Sequence, residues 1–280
     1  MRVLVTGGSG YLGTHVRRFF GADDFSRRSG FNVLSASDAA RVAGYDVVIH
    51  LAARLDKSAD EAEETFRVNA EGTANLLRHM QPNTVFIYAS TKDVYGPHAD
   101  NYEAVPEDCP VNYAGQTALE WSKLLGERYV DYYAHERNIR ACVFRLSTVY
   151  ARLSDDNMPG FITNYVESVK RRRPIRLPAN GAPVRDILHV DDFARACRAF
   201  VDSPLAAGVY NLGGGKQNAA RLREFVETIG RMIEIEPVID DAARLPDPVP
   251  FNYVSDLTRA RTELNWQPQV GIEEGLRSLL

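Results

Sequence analysis

The sequence predicts an α/β fold, a doubly wound parallel sheet with a smaller C-terminal lobe. Three observations carry this. Short, β-branched apolar runs recur at Arg2–Thr6, Asp46–Leu51, Thr84–Ala89 and Arg140–Leu146. Stretches with helical spacing separate them, and continuous apolar strands alternating with helices make a parallel sheet covered on both faces. The first strand runs at once into a glycine-rich turn and then a helix, the entry to a βαβ unit.

In order, Arg2–Thr6 leads through Gly7-Gly8-Ser9-Gly10-Tyr11-Leu12-Gly13 into a helix over Thr14–Phe20. Phe31–Leu34 reads as the next strand and Asp46–Leu51 as a buried one. Glu61–Met80 carries helical spacing, Thr84–Ala89 is a buried strand, and Val111–His135 contains a long helix before the strand Arg140–Leu146. Past residue 150 the pattern loosens, with Pro159, Pro174, Pro178 and Pro183 punctuating short elements. Helix-like Asp191–Val201 and strand-like Gly208–Leu212 are expected to rejoin the sheet. Residues 1–155 are thus expected to form the first unit, with 187–213 rejoining it. Residues 156–186 and 214–280 would form the smaller lobe.

Composition sets the class. The chain has 280 residues, 45% hydrophobic and 25% charged, as in ordinary folded proteins, with a formal net charge of -4. That balance gives no nucleic-acid footprint and no membrane-surface signature. The basic run Lys170–Arg173 reads as a solvated helix end, where cations complement the helix dipole; a polyanion site is the competing reading. Cys109, Cys142 and Cys197 are widely spaced and odd in number, which points to neither a metal site nor a disulfide framework. No apolar run reaches the length of a membrane span, and the chain opens directly on a strand, so a cytoplasmic location is expected.

The glycines carry the first chemistry. Gly7, Gly10 and Gly13 are spaced three apart between strand and helix. The first permits the tight turn, the second lets a pyrophosphate approach the backbone, and the third lets the helix pack on the sheet. The helix start then offers N–H groups and partial positive charge to phosphates. A dinucleotide such as NAD(H) or NADP(H) is the ligand expected.

Further motifs follow in order: His50-Leu51-Ala52-Ala53, Asn69-xx-Gly72-Thr73, Val94-Tyr95-Gly96, Ser122-Lys123, Arg185-Asp186 with His189-Val190-Asp191-Asp192, and Tyr210-Asn211-Leu212-Gly213. The ending, Leu264-Asn265-Trp266-Gln267-Pro268 then Glu273-Glu274-Gly275-Leu276, completes the set. Together they resemble the extended short-chain dehydrogenases/reductases, chiefly the NAD-dependent nucleotide-sugar epimerases and dehydratases, over nearly the whole chain. The resemblance implies a Rossmann fold with a C-terminal substrate-binding lobe, NAD (or NADP) as cofactor, a nucleotide-sugar substrate and a homodimer. It implies cofactor contacts from Gly7, Gly10, Tyr11, Leu12, Gly13, Leu51, Ala52, Ala53, Ala89 and Lys123.

Carried over by position, Thr91 matches the hydroxyl residue that binds the reacting oxygen, and Lys123 the lysine that holds the nicotinamide ribose. The family's tyrosine lies four residues before that lysine, and here that position is Leu119. Tyr113 would replace it only if residues 111–118 bulged back toward Lys123. Lys92 and Asp93 occupy the positions at which the sugar 4,6-dehydratases carry an acid and a base, and Glu120 is a third candidate. On the substrate side, Thr148 stands where the family often has Asn, and Arg185 matches an arginine that meets the nucleotide diphosphate. Gly21–Asp46 is shorter than usual for the family, and one strand is expected to be missing. Asp38 or Asp24 could bind the ribose hydroxyls and favour NAD, whereas Arg27 and Arg28 could serve a 2′-phosphate.

Overall fold

The computed structural model describes all residues except 154–156, 158–159 and 243; Pro159 lies outside the described residues. A six-stranded parallel sheet has the order β2-β1-β3-β4-β5-β8, from β1 (Val3–Thr6), β2 (Asp23–Phe25), β3 (Val47–His50), β4 (Val85–Thr91), β5 (Arg140–Leu146) and β8 (Ala207–Leu212). A second sheet, β6-β7-β9, is built from β6 (Thr148–Tyr150), β7 (Val184–His189) and β9 (Ala219–Arg221). The helices are α1 (Gly13–Phe20), α2 (Ala36–Ala39), α3 (Ala62–Phe66), α4 (Gly72–His79), α5 (Ala118–Arg137), α6 (Phe161–Lys170), α7 (Val190–Asp202), α8 (Leu222–Ile233), α9 (Thr258–Leu264) and α10 (Ile272–Ser278). A π-turn, Arg67–Glu71, joins α3 to α4.

Alternation along each strand splits the core in two. Val3, Val5, Ile49, Ile87 and Phe144 pack on one face with Phe193, Ala196 and Phe200 of α7. Leu4, Val48, Phe86 and Val143 pack on the other with Leu76 and Leu77 of α4 and Val130 of α5. Successive residues of one strand serve opposite layers, which is why these strands are apolar throughout. A third cluster, including Ile162, Val166, Phe225, Val226 and Leu276, belongs to α6, α8 and α10 around β7.

The expected strand over Phe31–Leu34 does not form. The second strand is Asp23–Phe25, and Phe31 instead stacks on Phe25, ring centroids 5.3 Å apart. Val33 is buried in the same layer, and a Cβ at Gly72 would lie 2.7 Å from its Cγ2. The run is apolar because it plugs the edge of the core. β2 ends the sheet on this side, consistent with the short Gly21–Asp46 segment. Asp38 therefore sits on α2, where its carboxylate accepts from Asn32 N–H at 3.0 Å, and not at a strand end.

Gly208–Leu212 does join the large sheet as part of β8, beside β5. The basic run falls at the end of α6, where Lys170 and Arg171 lie 3.8 and 3.2 Å from Glu167. The three cysteines are free and buried. No helix among the described residues is long and apolar enough to cross a membrane. Strand order reverses at β1, whose neighbours β2 and β3 lead away on either side, and in open α/β sheets the ligand crevice lies at such a reversal, beyond the carboxyl ends of the strands.

Candidate active site

The glycine turn closes over that crevice. Gly7 has φ +68°, in the left-handed region, and a Cβ there would lie 2.8 Å from Ala52 N. A Cβ at Gly13 would lie 2.1 Å from Gly7 O. Gly10 N–H donates to Gly7 O at 2.9 Å. The absence of side chains at Gly7 and Gly13 is therefore a packing requirement, and it leaves a backbone-lined cradle of the kind a pyrophosphate fits. We expect Gly13→Ala to destabilise the fold by about 1–3 kcal/mol through overpacking and to abolish dinucleotide binding. Thermal melts with a dinucleotide titration check this; a variant that still binds would show the cradle is not the phosphate site.

Tyr11 and Leu12 open the helix, but the Tyr11 side chain is committed elsewhere. Its hydroxyl donates to Ala151 O at 2.8 Å, accepts from Ala151 N–H at 2.8 Å and lies 2.7 Å from Thr163 Oγ1. This ties the glycine turn to α6. Burial raises its pKa.

Beside the turn, the segment after β3 is fixed by a buried relay. Ala52 N–H donates to Thr6 Oγ1 at 3.1 Å, and Thr6 Oγ1 lies 2.5 Å from His50 Nδ1. His50 Nε2 lies 2.8 Å from Thr73 Oγ1, which itself donates to Asn69 O at 2.6 Å. Thr73 has spent its proton on Asn69, so Nε2 carries the imidazole proton and Nδ1 accepts from Thr6. Burial first, then the Lys123 charge, holds His50 down at about 3, so it is neutral. Asn69 Nδ2 donates to Arg54 O and Ser122 Oγ, both at 2.9 Å, and its Oδ1 accepts from Arg54 N–H at 2.8 Å. The Leu51–Arg54 backbone is thus held from β1 and from the π-turn, whose Asn69 is in turn bonded to Ser122 of α5.

Lys123 lies on the floor of this cleft, 4% exposed. Its ammonium donates to Ala89 O at 2.8 Å and makes no ion pair among the described residues. Burial lowers its pKa to about 8, against the opposing pull of Glu127. Thr91, the last residue of β4, accepts Asp93 N–H on Oγ1 at 3.1 Å.

Leu119 is buried in the first turn of α5. The helix starts at Ala118 because Thr117 caps it. Thr117 Oγ1 accepts Leu119 N–H, and Glu120 Oε2 accepts both Thr117 N–H at 2.7 Å and its hydroxyl at 2.5 Å. This is a capping box. Tyr113 does not fold back to Lys123. It is 67% exposed in the loop before α5 and packs on Trp121, ring centroids 6.1 Å apart. Trp121 and Lys123 are two residues apart on the helix, about 200° around its axis, so Tyr113 lies on the far side.

Charged groups gather around Asp93. Lys92 is bonded to Asp93, and Lys57 bridges Glu120 at 2.7 Å and Asp93 at 3.3 Å. Burial opposes ionisation of Asp93, but Lys92 and Lys57 outweigh it and hold the carboxyl at about 2. Burial lowers the Lys92 pKa, and its ammonium lies 5.2 Å from the Tyr253 ring centroid. Lys57 was not legible as a site residue, because no motif or spacing marks that loop position.

Arg185 is buried and spends three hydrogen bonds on backbone carbonyls: Val184 and Phe251 at 2.7 Å, and Pro250 at 2.8 Å. Burial lowers its pKa, with Asp93 the first charge opposing this. Asp186, fully buried, accepts from Ser147 Oγ at 2.5 Å and from the N–H groups of Gly215 and Ser255. Thr148, half-buried in β6, pairs with Ile187. Burial pushes the Cys109 thiol up to about 11, which disfavours its thiolate at neutral pH. No group of three or more His, Cys, Asp or Glu is placed to hold a metal among the described residues.

The cradle follows β1, the relay starts from the end of β3 and the buried lysine meets Ala89 near the end of β4, and the family model for the NAD dependent epimerase/dehydratase family matches residues 3–213. The chain belongs to this family. It is similar to UDP-glucuronate 4-epimerase of Thermodesulfobacterium geofontis, 30% identical over 236 residues, covering 82% of this chain and 70% of that protein. It is similar to CDP-paratose 2-epimerase of Salmonella typhi, 25% identical over 340 residues, covering 100% and 98%. The fold is shared with UDP-glucose 4-epimerase from Thermotoga maritima, solved with UDP-glucose, at a TM-score of 0.84 and 23% identity, covering 100% and 97%.

Proposed function

We propose that this family member works on a nucleotide sugar with NAD or NADP bound, as an epimerase or dehydratase whose proton-handling group is not the customary tyrosine. The observation that carries this reading is the Lys123 ammonium, buried with no carboxylate partner among the described residues, bonded to one carbonyl and lying 5.0 Å from the Tyr88 ring centroid. A buried cation left unpaired is costly, and its cost is understandable where a ribose hydroxyl completes its hydrogen bonding. A bound nicotinamide supplies the acceptor and donor of a hydride. The chain's own residues do the rest. The Gly7–Gly13 and Leu51–Ala53 backbones hold the dinucleotide, and Lys123 holds its ribose. Thr91 binds the reacting oxygen. Thr148 and Arg185 face the nucleotide sugar, between residues 1–155 and the segments 156–186 and 214–280. Lys92, with its pKa lowered, is the better proton carrier, and Asp93 positions it. A cytoplasmic homodimer is the setting this reading assigns.

The test is a panel of UDP-, dTDP- and CDP-sugars with the purified chain. Reduced-cofactor absorbance and solvent deuterium entering the sugar by NMR are the readouts. Deuterium or a new product is the expected result. Asp93→Asn should lower turnover by about tenfold or less, because a carboxylate held near 2 is a weak base at neutral pH. Loss of all turnover would instead make Asp93 the base. Leu119 favours a second reading, a dinucleotide-binding partner protein without turnover. Intact dinucleotide binding with no reaction across the panel would support it.

A further inference from the structure

We propose that Lys57 is a positioning residue for Lys92: by sharing the Asp93 carboxylate, it withholds part of the counter-charge of Lys92 and leaves that amine able to give up a proton. This rests on the reading of Lys92 as the proton carrier and adds the residue that sets it. Asp93 is divided between two cations. Lys92 is bonded to its Oδ1, and Lys57 Nζ lies 3.3 Å from its Oδ2. An ammonium with a carboxylate to itself holds its proton, whereas one that shares the carboxylate with a second cation is pressed to release it.

Lys57 is held in that place from two directions. Glu120 Oε1 lies 2.7 Å from its Nζ. Glu120 is fixed in turn, because its Oε2 accepts from the N–H and the hydroxyl of Thr117 in the capping box of α5. The loop between β3 and α3 that carries Lys57 is tied down beside it. Asp56 Oδ1 accepts from Ser58 N–H at 2.9 Å and from Ser58 Oγ at 2.6 Å, and Arg54 Nη2 donates to Glu61 Oε2 at 2.7 Å. The lysine therefore reaches Asp93 from a braced loop and against a braced carboxylate.

The other groups facing Lys92 favour release. Asp93, the next residue, is the one carboxylate paired with it among the described residues. Lys57 from the β3 loop and Arg185 from β7 are cations. Tyr253, whose ring centroid lies 5.2 Å from Lys92 Nζ, is neutral, since burial raises its hydroxyl well above the ordinary value. Burial lowers the Lys92 pKa, Asp93 opposes this, and Arg185 and then Lys57 add to the lowering. Lys57 itself stays charged. Burial opposes its ammonium, but Asp93 and Glu120 outweigh burial and raise its pKa.

The test follows Lys92 itself. The chain is made with isotope-labelled lysine and titrated with base, each side-chain signal being read by NMR; the Lys92 signal is the one lost in Lys92→Met. Lys57→Met should move the Lys92 midpoint up by about one pH unit or more, because Asp93 then belongs to Lys92 alone. Lys57→Arg keeps the shared charge and should leave the midpoint within about half a unit. Lys57→Met with Glu120→Gln is the second variant, since it leaves no unpaired carboxylate at the start of α5. It should still raise the midpoint by about half a unit or more. With any sugar of the panel that reacts, Lys57→Met should move the acidic limb of kcat up by the same amount while KM changes little. A Lys92 midpoint that stays or falls when Lys57 is lost overturns the proposal, and so does an equal rise in Lys57→Arg. Full turnover by Lys92→Met would overturn the proton-carrier reading, while a midpoint still moved by Lys57→Met would keep the coupling of the two lysines.

Discussion

Lys123→Met is expected to make the protein more stable and unable to hold its dinucleotide. The lysine's ordinary value of 10.5 is lowered to about 8, chiefly by burial. The unfolded chain keeps the proton up to about 10.5 and the folded chain only to about 8. Between those values the unfolded state binds more protons, so stability rises with pH across that window. Below pH 8 the full penalty of the buried charge is present, on the order of 3 kcal/mol at about 1.4 kcal/mol per unit. Methionine fills similar volume with no charge, so a gain of about 1–3 kcal/mol and a melting point higher by several degrees are expected near neutral pH. Binding should weaken by at least about a hundredfold, since the proposed charge-assisted bond to the ribose would be lost in a dry site. The unaltered chain should also lose affinity as pH rises through about 8, as the ammonium deprotonates. Melts and dinucleotide titrations at pH 7 and pH 9 check both halves. A less stable variant that still binds would show that the lysine is a structural group.

The same lysine marks what the sequence makes legible. Lys123 stands out because a serine–lysine pair falls in order among the other motifs, and the glycine turn because its glycines fall between an apolar strand and a helix. Both signals are local in the chain. β2 was not legible. A three-residue strand carrying two aspartates has no hydrophobic pattern, and the apolar run beside it, Phe31–Leu34, fills a core edge that only the tertiary structure defines. The Thr117–Glu120 capping box is a written signal, and it fixes the helix start that sets Tyr113 apart from Lys123. Lys57 is different in kind. Its meeting with Glu120 and Asp93 joins three separate chain segments, and no pattern around residue 57 encodes that meeting. Arg185 was placed by its motif, yet its bonds to Pro250 and Phe251 depend on a segment about 65 residues away whose approach the motif does not state.

The largest loss of stability is expected at Glu127. Behind Thr91 and Lys123, Glu127 of α5 receives Arg145 of β5 in a two-pronged pair, Nη2 to Oε2 at 2.8 Å and Nε to Oε1 at 3.1 Å. Ser90 of β4 donates to Glu127 Oε1 at 2.5 Å. Arg145 Nη1 donates to Tyr95 Oη at 2.9 Å and Glu107 O at 3.1 Å, and the Tyr95 hydroxyl donates to Asn211 Oδ1 of β8 at 2.7 Å. One buried network therefore fastens a helix to three adjacent strands. Glu127→Ala leaves the Arg145 guanidinium charged and unpaired in the interior, at a cost of about 3–5 kcal/mol. Replacing both partners, with Glu127→Leu and Arg145→Met, should recover most of that loss, because no orphaned charge remains. Urea unfolding of the two single variants and the double variant measures this coupling. A double variant as unstable as the sum of the singles would mean the network's hydrogen bonds, and not the charge imbalance, set the cost. Glu127 also supports the Lys123 charge. In any variant lacking it that stays folded, dinucleotide affinity should begin to fall at a lower pH than in the unaltered chain.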